Sequence, residues 1–375
     1  MHKQSLRLRR EKKIVLTGGH AGSTALAVVE ELKKDSQVSW EIHWIGAASA
    51  IEGAKITPFS KRMLPSQGVY SHSIIAGRLQ RKFSRQSLPA LIKIPVGFLY
   101  AFWLLIKIKP DITLSFGGFA AFPVVLASFI LRVPVIIHEQ TMAVGLANKI
   151  SSPFAKKIAL AREESRKYFP QRKTLLIGNP IVNSILKINP KKNLSGEPTI
   201  LITGGSTGAQ NINRVVDEVL ETLLRDYKLI HHTGDLDFAY FEKRKRGLQP
   251  ELKGKYAVHS FIANMAEAYQ KVDMIIARAG ANTVAEVIAI KRPTIFIPIP
   301  WTRYNEQVKN AELAEEAGIA VIINQNELIG EVLVEKIKEV RKNWVKMVAG
   351  TDSKLGELDK KAANKLVRLV GDLAK

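Results

Sequence analysis

Leu201-Ile202-Thr203-Gly204-Gly205-Ser206-Thr207-Gly208-Ala209-Gln210 joins an apolar strand to a helix through a glycine-rich turn. Glycines let the backbone approach a ligand, and the N–H groups at a helix start, at the positive end of its dipole, suit a diphosphate. Ser206 adds a hydroxyl donor. The turn is not a Walker A loop, because no Gly-Lys-Ser/Thr follows, and its spacing differs from the dinucleotide pattern Gly-x-Gly-x-x-Gly. A tight strand-to-helix turn that binds nothing is the alternative reading.

Outward from this turn, short apolar strands alternate with amphipathic helices along the whole chain, the pattern of doubly wound α/β domains with parallel sheets. Strands are predicted at 13–17, 41–45, 112–115, 135–138, 157–160 and 173–177, and the pattern restarts at 199–203, 227–232, 256–259, 274–277, 294–297 and 320–323. Both halves open alike, since Leu16-Thr17-Gly18-Gly19-His20 is again a strand running into glycines. Between them, Gly178-Asn179-Pro180 and the polar stretch 188–198 interrupt the periodicity and read as a linker. The expected fold is therefore two Rossmann-like domains, 11–180 and 181–352, with parallel sheets facing one another across a cleft. Helical spacing in 353–375 predicts a last helix crossing back onto the first domain.

A chain of 375 residues with 46% hydrophobic content has enough apolar mass for two cores. It contains no cysteine, which excludes disulfides and thiolate metal ligands and fits a reducing cytoplasm. The basic stretch 1–13 is followed by a segment too short and glycine-broken to complete a signal peptide. The net charge of +22 is unevenly held: residues 1–180 carry 27 Lys+Arg against 10 Asp+Glu, and 53–110 contain no acidic residue. Inside that span the apolar run 94–106 is flanked by Lys93 and Lys107, a composition suited to a helix lying on an anionic membrane surface. A buried helix with solvated ends is the plainer reading. No nucleic acid partner is expected, because no recognised nucleic-acid-binding signature accompanies the charge. The uncharged stretch 112–131 has the length of a membrane span, but Ser115, Gly117, Gly118 and Pro123 make it strand, turn and helix instead.

Other motifs fall at predicted strand ends. Arg278-Ala279-Gly280-Ala281-Asn282-Thr283-Val284-Ala285-Glu286 offers backbone donors and a carboxylate suited to ribose hydroxyls. From spacing alone, Thr283-x-x-Glu286 reads first as a capping box, with the ribose contact as the alternative. Asn305-Glu306-Gln307 opens a further helix and reaches a sugar or merely caps. In the first half, Ser115-Phe116-Gly117-Gly118-Phe119 and His138-Glu139-Gln140-Thr141 share the strand-end edge with Gly18, Gly19 and His20. An imidazole at His20 is a base, an orienting group or a plain turn residue. Asp235-Leu236-Asp237 is a short match to a metal-diphosphate motif, and the adjacent His231 and His232 point to opposite faces of a strand and cannot readily share a metal.

Together, Gly204-Gly-Ser-x-Gly-Ala209, Phe261-Ile-x-x-Met-x-x-x-Tyr269, Arg278-x-Gly-Ala-x-Thr-Val-x-Glu286, His138-Glu-Gln140, Gly145-Leu-x-Asn-Lys149 and Gly178-Asn-Pro180 resemble the MurG family, over nearly the whole chain. The resemblance implies a GT-B hexosyltransferase without cofactor or metal, moving N-acetylglucosamine from UDP-N-acetylglucosamine onto an undecaprenyl-linked muramoyl-pentapeptide, as a peripheral protein of the cytoplasmic membrane face. It implies that Ser206 meets the diphosphate, Ile262 the uracil and Glu286 the ribose. Ala281, Asn282 and Thr283 would border the diphosphate and sugar, with Gln307 and Thr141 at the sugar. The acceptor would lie at Gly18, Gly19, Gly117, Gly118 and Phe119, with His20 as base or orienting group. The chain departs from the family where Thr141 replaces an asparagine, Val182 an arginine and Glu306 the first of two glutamines, and its first glycine loop is shorter. A related UDP-sugar transferase with another lipid acceptor, or a UDP-sugar epimerase or binding protein, is the alternative.

Overall fold

The structure, a computed structural model, describes residues 10–19, 21–48, 58–75, 87–205, 208–352 and 354–374, with side chains except at 87–94 and 303. The chain divides into two compact units, Met1–Gln140 with Val144–Val182 and Lys361–Lys375, and Thr141–Ala143 with Asn183–Lys360.

In the first unit the strands are β1 (Arg10–Gly18), β2 (Val38–Ala47), β3 (Tyr70–Ile74), β4 (Ile112–Ser115), β5 (Val135–Glu139), β6 (Lys157–Leu160) and β7 (Thr174–Leu176). They lie in the order β3-β2-β1-β4-β5-β6-β7, parallel throughout. The second unit holds β8 (Thr199–Thr203), β9 (Lys228–His232), β10 (Tyr256–His259), β11 (Met274–Ala277), β12 (Thr294–Phe296) and β13 (Ala320–Ile322). Their order is β10-β9-β8-β11-β12-β13, again parallel. Both are doubly wound sheets in which the winding reverses between the first and fourth strands.

Parallel strands covered on both faces by helices need apolar residues at successive positions. The central strands meet that need: Ile14, Val15 and Leu16 of β1 and Ile200, Leu201 and Ile202 of β8 have no exposed surface. Each of the twelve expected strands is present within three residues at either end. β3 was not anticipated, because Tyr70-Ser-His-Ser-Ile74 is an edge strand of mostly polar residues whose Tyr70 is 60% exposed. The stretch read against a membrane span is indeed β4, a glycine turn and helix Ala121–Ile130. Among the described residues no helix is long and apolar enough to cross a membrane.

Helix Ser87–Ile108 uses two apolar faces. Ala101, Leu104, Leu105 and Ile108 pack into a core with Val15, Ile45, Ile74, Val124 and Ala127. Val96, Leu99, Tyr100, Trp103 and Ile106 form an outer stripe at helical spacing, all exposed, with Leu99 at 64% and Trp103 at 51%. Tyr100 stacks on Trp103, and the Lys107 ammonium lies 5.4 Å from the Trp103 ring. Helix Ala362–Leu373 belongs to the first unit, where Asn364 Nδ2 donates to Glu31 Oε1 at 2.9 Å, while helix Lys354–Lys360 belongs to the second.

Candidate active site

In doubly wound sheets ligands sit beyond the carboxyl ends of the strands, where the winding reverses. In the first unit that place is between β1 and β4, and both strands end there in paired glycines. The Phe116 N–H donates to Thr17 O at 2.8 Å and the Gly19 N–H to Gly117 O at 2.9 Å, so the two loops share one backbone surface. Gly117 and Gly118 have φ of 79° and 91°. A Cβ on Gly117 would come within 2.6 Å of Asn148 Oδ1, and one on Gly118 within 2.8 Å of the Gly19 nitrogen. Phe119 is half-buried at the loop's end. His20 lies outside the described residues.

Next to this edge β5 delivers His138 and Glu139. His138 is fully buried, its Nε2–H donating to Gly178 O at 2.9 Å, and burial pushes its pKa down to about 4, so the ring is neutral at pH 7. Glu139 accepts from Asn148 Nδ2 at 3.0 Å and from the Gly145 N–H at 3.3 Å. His138 and Glu139 thus fasten the Gly178-Asn-Pro and Gly145-Leu-x-Asn segments to the strand end. Asn148, which the sequence reading gave no role, closes the set by also donating to His138 O. Thr141 donates its hydroxyl to Ala143 O.

The second unit repeats the geometry between β8 and β11. Thr203 Oγ1 accepts the Gly205 N–H at 3.2 Å, just as Ser115 Oγ accepts that of Gly117 at 3.2 Å. Gly205 and Gly208 have φ of 84° and 79°, and a Cβ on Gly208 would come within 2.2 Å of Thr233 O. Ser206 lies outside the described residues. Behind the loop, Asn213 of helix Gln210–Glu218 donates to Thr233 O at 2.9 Å and Asp237 Oδ2 at 2.7 Å. Its Oδ1 accepts from His231 Nε2 at 3.0 Å, and His231 Nδ1 accepts from Tyr256 at 2.8 Å. Burial pushes the His231 pKa down to about 3. His232 instead bonds Thr203, so the two histidines do face opposite ways. Asp237 of the Asp-x-Asp match is engaged with Asn213 and Gln210, and among the described residues no three His, Asp or Glu side chains are grouped to hold a metal.

Beyond β11, helix Ala281–Ile290 begins with Gly280 at its N-cap and has no side-chain cap. This corrects the capping-box reading, because Thr283 lies inside the helix rather than ahead of it. Glu286, 8% exposed, receives the Tyr269 hydroxyl on Oε2 at 2.8 Å. Ala281, Asn282 and Thr283 are half-buried in the opening turn, and Ile262 is half-buried between β10 and helix Met265–Lys271. Arg278 is buried, donates to Ile297 O at 2.8 Å and is pulled down to about 10 by burial, still a cation at neutral pH. Tyr304 and Asn305 hold left-handed φ of 54° and 55° before helix Glu306–Glu316. There Gln307 accepts the Ile299 N–H on Oε1 at 3.1 Å, so the hydrogen-bonding group its side chain has to offer elsewhere is the NH2. Glycine loops, an uncapped helix start, a buried carboxylate and an amide therefore gather along one strand-end edge, an arrangement able to hold a nucleoside diphosphate and a sugar.

Known proteins carry the same organisation. Residues 14–160 match the glycosyltransferase family 28 N-terminal domain and residues 199–366 the family 28 C-terminal domain. A UDP-N-acetylglucosamine--N-acetylmuramyl-(pentapeptide) pyrophosphoryl-undecaprenol N-acetylglucosamine transferase of Halothermothrix orenii is 34% identical over 97% of this chain and 99% of its own. The protein so named in Legionella pneumophila strain Paris is 32% identical over 96% and 97%. The solved structure of Acinetobacter baumannii MurG superposes with a TM-score of 0.65 at 26% identity, covering 96% of this chain and 99% of that one. The chain thus belongs to glycosyltransferase family 28 and, within it, to the MurG family.

Proposed function

We propose that the chain is an inverting hexosyltransferase that moves N-acetylglucosamine from UDP-N-acetylglucosamine to the 4-hydroxyl of undecaprenyl-diphospho-N-acetylmuramoyl-pentapeptide, a step of peptidoglycan synthesis. The observation that carries this is the near-full-length similarity to transferases of that name. The acceptor oxygen attacks the anomeric carbon from the face opposite the diphosphate. The new C–O bond forms as the bond to UDP breaks, UDP takes the electron pair, and the hydroxyl proton passes to a base, for which His20 is the candidate.

In this reading 181–352 holds the donor. Gly204 to Gly208, with Ser206, and the turn Ala281-Asn282-Thr283 take the diphosphate, Ile262 the uracil, Glu286 the ribose diol, and Gln307 and Thr141 the sugar. The first domain, with the C-terminal helix Ala362–Leu373, takes the acceptor at Gly18, Gly19, Gly117, Gly118 and Phe119. It also meets the cytoplasmic membrane face as a peripheral protein. The exposed stripe Val96-Leu99-Tyr100-Trp103-Ile106, beside Lys107, supports that contact. No metal or nucleic acid enters the reading.

The test gives purified protein labelled UDP-N-acetylglucosamine and a short-chain lipid-linked muramoyl-pentapeptide. Disaccharide product is expected. Turnover of a different UDP-sugar in its place would establish a related transferase, and conversion of the nucleotide sugar without acceptor would establish an epimerase.

A further inference from the structure

Segment 260–271 passes from the end of β10 through Ile262 into helix Met265–Lys271. Asn264 ties the turn to the helix, its Oδ1 accepting the Glu267 N–H at 3.2 Å. At the helix's other end Tyr269 is 1% exposed, and its hydroxyl donates to Glu286 Oε2 at 2.8 Å. Its carbonyl in turn accepts from buried Arg292 at 3.4 Å. Phenylalanine would fill the same core position, so packing alone does not require a hydroxyl there.

A carboxylate has two oxygens, and a bond to one fixes the plane and rotation of both. Burial raises the Tyr269 phenol well above its ordinary value, so it keeps its proton and serves as a donor. Helix Ala281–Ile290 packs against helices Lys354–Lys360 and Glu306–Glu316, which carry charged side chains, and against helix Asn183–Leu186, which carries none; among the described residues Tyr269 is the side chain that shifts Glu286.

We propose that Tyr269 is a positioning residue for the donor: its hydroxyl engages one Glu286 oxygen and turns the other toward the ribose diol. The proposal rests on the reading of Glu286 as the ribose carboxylate. It makes base and ribose recognition one mechanical unit, because the segment that presents Ile262 to the uracil also carries the hydroxyl that aims the carboxylate.

The experiment compares binding of UDP and 2′,3′-dideoxy-UDP to the full chain by calorimetry. Glu286→Ala tests the underlying reading first, and an unchanged preference for UDP over the dideoxy analogue overturns that reading whatever Tyr269 does. Given a lost preference, Tyr269→Phe is expected to weaken UDP roughly tenfold, leave the analogue unchanged, and raise the donor KM with kcat preserved. Equal weakening of both ligands, no weakening, or an effect that persists in the Glu286→Ala background would reduce Tyr269 to packing. Glu286→Gln gives an independent answer if Tyr269→Phe does not fold. With the amide oxygen taken by Tyr269, the NH2 faces the ribose and UDP affinity falls nearly as far as in Glu286→Ala, whereas retained UDP affinity overturns the proposal.

Discussion

The N–H of Gly19 donates to the carbonyl of Gly117 across 2.9 Å, which makes the turns closing β1 and β4 a single rigid surface. Adding a Cβ at Gly117 both strains a φ of 79° and drives into Asn148 Oδ1. Gly117→Ala is expected to cost about 2 kcal/mol of stability and to abolish transfer. Gly117→Ala with Asn148→Ala relieves the collision but not the backbone strain. Urea unfolding of the single and double variants checks both statements, and full recovery in the double variant would show that strain contributes nothing.

Burial pushes the Glu286 carboxyl up to about 7 against 4.5 for an ordinary glutamate, with the Tyr269 hydrogen bond pulling the other way. Between those values the folded, empty protein holds a proton that the unfolded chain has lost. This contribution to stability is therefore complete below 4.5 and disappears as pH rises to about 7, on the order of 3 kcal/mol in all. Ribose hydroxyls favour the ionised form, so UDP affinity should climb over the same window and level off above it. Calorimetric titration across that range is the check, and a flat profile would mean the carboxylate does not meet the ligand.

Asn213 satisfies His231, Thr233 and Asp237 at once. Asn213→Ala leaves buried partners unpaired and should cost about 3 kcal/mol. Because the same amide braces the strand end next to Gly208, UDP affinity should fall as well. Denaturant midpoints and UDP binding report the two effects separately.

On the outer stripe, Leu99→Ser and Trp103→Ser remove exposed apolar groups and should leave folding stability within about 0.5 kcal/mol. Each is expected to weaken binding to anionic vesicles by more than about tenfold, since burying such a side chain is worth about 2 kcal/mol. Vesicle flotation measures this, and high salt should reduce wild-type binding through the neighbouring lysines. Undiminished flotation of the double variant would remove the stripe from the membrane contact.

The sheets were legible because each central strand is a short apolar run ended by glycine or a hydroxyl residue, as in Ile200-Leu-Ile-Thr203. β3 was not, since an edge strand needs little apolar surface and Tyr70-Ser-His-Ser-Ile74 has little. Spacing misassigned the geometry of Glu286: Thr283-x-x-Glu286 is a valid capping pattern, but the helix starts at Ala281, with Gly280 at its cap. Nor does local pattern connect Tyr269 with Glu286, seventeen positions apart on different helices, because their contact exists only once both helices pack. Two residues on which the sequence reading leaned, His20 and Ser206, lie outside the described residues.

The two-faced helix Ser87–Ile108 has an implication for exchange with a bilayer. An isolated amphipathic peptide loses conformational freedom when it settles on lipid, and that loss is subtracted from its affinity. Here residues 95–108 are already held by their inner face in a protein core. Docking on lipid then demands almost no ordering, so even a modest apolar stripe gives useful affinity. The enzyme in the proposed reading would be a preformed surface that lands and leaves intact, free to move between one lipid-borne acceptor and the next.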